Sequence, residues 1–85
     1  LTKIKDRTFE GCVLLTKVNI PVDLICIGKA AFKRCTSLDL LEISEKVVEI
    51  GKDAFADCPK LVIHAPKGSY ALEYAGKNGI KYIEV

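Results

Sequence analysis

Four cysteines, a single histidine and two closely spaced aspartates are the residues of this chain that could do more than build structure. Cys12, Cys26, Cys35 and Cys58 would allow two disulfides or a zinc site; Asp53 and Asp57 could divide acid and base roles. Spacing argues against each. Cys12, Cys35 and Cys58 stand 23 residues apart, and each follows a phenylalanine (Phe9, Phe32, Phe55) by three residues. Side chains at one position of a repeat lie in line, and a line cannot surround an ion tetrahedrally; nor does the chain contain a C-x-x-C pair. Repeat units lying ~5 Å apart fall within disulfide Cα separation, but their parallel side chains are badly directed for bonding. The spacing therefore predicts a reduced, buried ladder of three thiols acting as small hydrophobes.

Cys26 is different. Its equivalents are Lys3 and Glu49, so it is expected to be at least partly exposed and is the one thiol expected to react, although no base or cationic helix end marks it as more than a neutral replacement. His64 reads as a solvated strand residue or a surface contact, since no partner with ligand or triad spacing accompanies it. The positions equivalent to Asp53 and Asp57 carry Ala30 and Arg34, and Arg7 and Gly11, which excludes a repeated carboxylate pair. Tyr70 and Tyr74, one helical turn apart, read as packing of a cap. No glycine-rich phosphate loop is present.

The elements that must hold these residues follow from the same step. Ile4, Ile27 and Ile50 keep it, as do Leu15, Leu38 and Leu61, and Leu1, Leu24 and Val47. A fixed period of this size marks a solenoid, whose coils cannot cover their own apolar faces and bury them against one another. Within a unit, Leu38, Leu41 and Ile43 alternate like a half-buried strand, leaving Lys17, Asn19, Leu40 and Glu42 pointing out from one face. Gly28 and Gly51 follow an isoleucine where the chain could turn sharply. The Ala-Phe-x-x-Cys segment has the spacing of one turn of α- or 3₁₀-helix on the opposite face. The first copy is looser, with Lys5 at the glycine position and Thr8 at the alanine. After Leu61 the period fails. Val62 to His64 still reads as strand, Pro66-Lys67-Gly68 interrupts it, and Ser69 is placed to N-cap a helix through Tyr70, Ala71, Tyr74 and Ala75 that Asn78-Gly79 stops. Residues 80–85 read as a last extended segment. One domain is expected over residues 1–85, with about three 23-residue repeats in 1–64 and a C-terminal cap in 65–85.

With 85 residues and a net charge of +2, lysines and acids interspersed, the chain offers no positive stripe for nucleic acid. No apolar run approaches the ~20 residues of a membrane span. The start at Leu1, without a signal pattern, reads as a cut from something longer.

Ile-Gly-Lys-x-Ala-Phe-x-x-Cys, at Ile27 to Cys35 and again at Ile50 to Cys58, closely resembles the BspA-type, or Treponema-type, leucine-rich repeats. The tail from Gly68-Ser69-Tyr70-Ala71 to Asn78-Gly79-Ile80-Lys81 is similar to the segment that ends such arrays. The resemblance covers essentially the whole chain. It implies an α/β repeat fold, a right-handed solenoid with short parallel strands on its concave side. It also implies a bacterial or protozoan surface or secreted protein associated with adhesion, with no common catalytic residues, cofactor or metal to carry over. The expected function is then a non-catalytic interaction module that meets an extracellular protein or glycan through Lys17, Asn19, Leu40, Glu42 and His64. The alternative is a spacer and cap, since these residues include no aromatic anchor. Leu1, Ile4 and Phe9 begin in mid-repeat, so the N-terminal coil is expected to expose an apolar edge through which the isolated chain self-associates.

Overall fold

The computed structural model describes residues 3–85; Leu1 lies outside the described residues. The described residues form two three-stranded parallel sheets and one helix. The first sheet contains β1 (Lys3–Ile4), β2 (Cys26–Ile27) and β4 (Glu49–Ile50), and the second contains β3 (Leu40–Glu42), β5 (Val62–Ala65) and β6 (Lys81–Glu84). In the first sheet Lys3 pairs with Cys26 and Cys26 with Glu49, so the 23-residue step of the sequence is the register itself. A bridge from Lys17 to Leu40 brings the first unit into the second sheet. Consecutive units thus lie side by side, and parallel pairing puts like residues on like.

That pairing builds the core. The Phe32 ring lies flat between Phe9, 5.1 Å away, and Phe55, 5.4 Å away, and is fully buried. Leu24 and Val47, Ile27 and Ile50, and Leu38 and Leu61 form further buried columns beside it. Tyr74 ends the aromatic column edge-on to Phe55, 6.2 Å between centroids, and donates its hydroxyl to the Gly51 carbonyl at 3.2 Å. Helix α1 (Tyr70–Lys77) carries it there, capped by Ser69, whose hydroxyl accepts from the Leu72 amide. Ala71, Leu72 and Ala75 are its buried face, and Asn78 closes the helix as expected. Tyr70 departs from the cap-packing reading: it is exposed, and only its partner one turn on reaches the stack. Residues 81–84, expected to be merely extended, add a strand to β5.

Three further differences from the sequence reading have physical causes. The Ala-Phe-x-x-Cys segments are not helical. Residues 6–11, 29–34 and 52–57 run as successive turns in which alternate amides do different work. Thr8, Glu10 and Cys12 bond back three residues, to Lys5, Arg7 and Phe9, while Arg7, Phe9 and Gly11 donate forward to Lys29, Ala31 and Lys33 of the next unit at 2.7–2.8 Å. Arg7, Ala30, Arg34, Asp53 and Asp57 take φ between 52° and 61° to make these turns, a region that side chains other than glycine's enter at some cost.

The glycines, in turn, do not make a left-handed turn. A Cβ on Gly28 would lie 2.5 Å from the Asp6 amide nitrogen, and one on Gly51 would lie 2.5 Å from that of Lys29. They are the points where one unit's backbone touches the next. Lys5, at the matching position of the first unit, is exposed and meets no earlier unit among the described residues.

The cysteines are free, but only Cys35 is fully buried; Cys12 and Cys58, in the outer units, are half-buried. They are also not purely apolar fillers. The Cys35 thiol donates to the Phe9 carbonyl at 3.1 Å and the Cys58 thiol to that of Phe32 at 3.0 Å, so each ties its unit to the one before.

Candidate functional site

The second sheet displays the residues singled out for contact. Its strands are fixed by Asp39 donating to Thr16 (3.0 Å), Val62 to Asp39 (2.7 Å) and Ile43 to His64 (2.9 Å). With Leu41, Ile43, Ile63 and Ala65 buried, the alternate side chains face outward. Lys17 bridges to Leu40, Leu40 pairs with Val62, and Val62 with Lys81; one row thus crosses the face. Asn19 stands one repeat before Glu42, which pairs with His64, and His64 with Ile83, giving a second. Lys17, Asn19, Leu40 and Glu42 come together with Val18 and Ile20 around a depression of about 320 Å³. His64 is not on its lining but lies one strand away, beside Glu42.

Val62, Lys81 and Ile83 belong to the same rows and were missed by sequence reasoning. The register shortens there, Leu40 matching Val62 instead of the residue 23 positions on, so the repeat no longer pointed to them. The alternation of Lys81 and Ile83 with Tyr82 was the available signal.

The face mixes an ammonium, an amide, a carboxylate, an imidazole and an aliphatic side chain. No salt bridge joins Lys17 and Glu42 among the described residues. Both are exposed and free to meet a partner's charges. Among the described residues, no three of the histidine, cysteine, aspartate and glutamate side chains gather as a metal-holding group.

The thiols of Cys26, Cys35 and Cys58 are held protonated rather than activated. Burial pushes the Cys35 thiol up from 9.0 to about 11, with the neighbouring Cys58 adding to it. Burial likewise raises Cys58, and burial followed by the nearby Glu49 raises Cys26, so the expectation of a reactive Cys26 finds no electrostatic support. A thiol whose folded value is raised stabilises the fold fully below its unfolded value and loses that contribution as pH climbs through the folded one. Stability to denaturant should therefore decline between pH 9.0 and about 11, and Cys35→Ala should flatten part of that decline. In native protein at neutral pH, Cys35 should label only on unfolding. A midpoint that rises with pH in this window, or rapid native labelling of Cys35, would refute the reading.

Comparison with known proteins adds one finding. A family model described as "BspA type Leucine rich repeat region (6 copies)" matches residues 1–76. The chain belongs to the BspA-type leucine-rich repeat family. No curated protein and no solved structure matches it. Membership accounts for the repeat-on-repeat pairing and suggests that this leucine-rich repeat chain is a protein-interaction module. No helix among the described residues is long and apolar enough to cross a membrane.

Proposed function

We propose that this BspA-type chain forms one domain over residues 1–85, the coils of a right-handed solenoid and its C-terminal cap. In this reading it serves as a non-catalytic adhesion module of a bacterial surface or secreted protein. The partner is an extracellular protein or glycan, and the contact residues are Lys17, Asn19, Leu40, Glu42 and His64 on the concave sheet. One observation carries this: four of the five line one depression and the fifth adjoins it, on a face whose backbone is fixed by parallel pairing. A surface held rigidly by its scaffold loses little entropy on binding, which favours recognition.

The test is a binding screen of the purified chain against immobilised extracellular proteins and glycans, with a Lys17→Ala, Glu42→Ala, His64→Ala triple variant alongside. All three side chains lie at the surface or half-exposed, so the variant should fold. Its affinity for whatever the wild type captures should fall by about tenfold or more, the equivalent of ~1.4 kcal/mol. Equal binding by a folded variant would move the contact elsewhere and leave the sheet as a spacer.

A further inference from the structure

The turn ladder that fastens the units ends in unpaired donors. Arg7, Phe9 and Gly11 donate to the Lys29, Ala31 and Lys33 carbonyls, and Ala30, Phe32 and Arg34 to those of Lys52, Ala54 and Ala56 at 2.7–3.0 Å. Asp53, Phe55 and Asp57 hold the same three positions in the third unit. Their N–H groups have no acceptor among the described residues. By the repeat, they point along the stack as their predecessors do. What lies there is a cleft of about 710 Å³ between this last ladder and Tyr74, Asn78 and Ile80 of the cap region. A row of evenly spaced, unpaired amides is an edge prepared for another chain.

We propose that this cleft seats a lysine- or arginine-bearing peptide segment of a partner protein, which donates carbonyls at every second residue to the amides of Asp53, Phe55 and Asp57. The first argument is continuity. The same edge is filled twice within this fold, by residues 29–33 on the first unit and 52–56 on the second, so the chemistry of an occupant is already on display. That occupant is not a flat strand but a run of tight turns, which calls for glycine or another small residue where φ is positive, as at Ala30. The second argument is charge. Asp53 and Asp57 are exposed beside the free donors where the preceding unit has Ala30 and Arg34; Lys81 is one opposing cation on the lining. The third concerns size. Tyr74 stands edge-on to Phe55, where the next phenylalanine of a longer stack would lie, so the occupant's central side chain must be small. This surface meets the sheet face only at Lys81, which none of the variants on either face changes, so the two readings are tested independently. Recognition by main-chain pairing with side-chain selection is a common way of holding peptides.

The probe is a synthetic peptide copying residues 27–34 with Ala30→Gly and Phe32→Ala, which keeps Lys29, Lys33 and Arg34. Titrated into the chain at millimolar concentration, it should shift the amide resonances of Asp53, Phe55 and Asp57 and slow their hydrogen exchange. A peptide with glutamate at the three basic positions should not. Asp53→Asn with Asp57→Asn, which keeps residues tolerant of positive φ, should weaken binding by about tenfold while leaving the fold intact. The proposal is overturned if the three amides do not move, if the acidic peptide moves them equally, or if they move with protein concentration alone, the mark of a second copy in the cleft.

Discussion

Phe32→Ala should destabilise the chain by about 3–5 kcal/mol, the range of large-to-small changes that leave a cavity the surroundings cannot close. Phe32 is the one ring of the aromatic column with a flat neighbour on either side, at 5.1 and 5.4 Å, and it is fully buried. Phe9, half-buried and stacked on a single ring, should cost clearly less when truncated. Urea titration of the two variants tests both statements. Equal losses would mean that the units do not act as neighbours in a column.

The second large effect is expected where a single methyl group is added. Gly51→Ala would place a Cβ 2.5 Å from the Lys29 amide nitrogen and 2.8 Å from the Gly28 carbonyl carbon, and these are backbone atoms that no rotamer change can move. Two units would have to separate, at a cost of about 1–3 kcal/mol or more, typical of overpacking. Gly28→Ala should cost a similar amount, because its Cβ would lie 2.5 Å from the Asp6 amide nitrogen and 2.7 Å from the Lys5 carbonyl carbon, again backbone atoms. Lys5→Gly, at the open position of the first unit, should change little. Thermal unfolding of the three variants would decide; a Gly51→Ala protein within about 0.5 kcal/mol of wild type, the range of ordinary surface changes, would remove the argument.

The columns of this fold were legible because parallel pairing in register makes the sequence period and the spatial neighbour the same thing. Phe9, Phe32 and Phe55 could be placed on one another from their numbering alone, and Ser69 and Asn78 marked the helix ends by their local chemistry. The turn ladder was not legible. A three-residue spacing from Phe to Cys suits a helical turn and a chain of four-residue turns equally, and the bonds that decide between them join residues 22 apart, such as Arg7 and Lys29. Five of its six left-handed positions are filled by arginine, alanine and aspartate, and only Gly11, with φ of 75°, carried the usual sign of positive φ. The glycines were visible but misread, since a residue needed for contact and one needed for a turn look alike in a sequence. Of the candidate face, the row starting at Asn19 could be followed as far as His64 and the row starting at Lys17 only as far as Leu40. Beyond those points Val62, Lys81 and Ile83 were lost, because the register shortens at Val62 and residues 81–84 add a strand in a new register.

The contact at Gly28 and Gly51 also gives the array a grammar. A unit that carries glycine there has the form required to follow another, whereas a side chain at that position, such as a lysine, would meet the backbone of a unit placed before it in the same geometry. Units of near-identical pattern are therefore not interchangeable words. Their order is written into one position per repeat, so any rearrangement that moved the lysine unit inward would break the sentence at that point even with every leucine, isoleucine and phenylalanine in place.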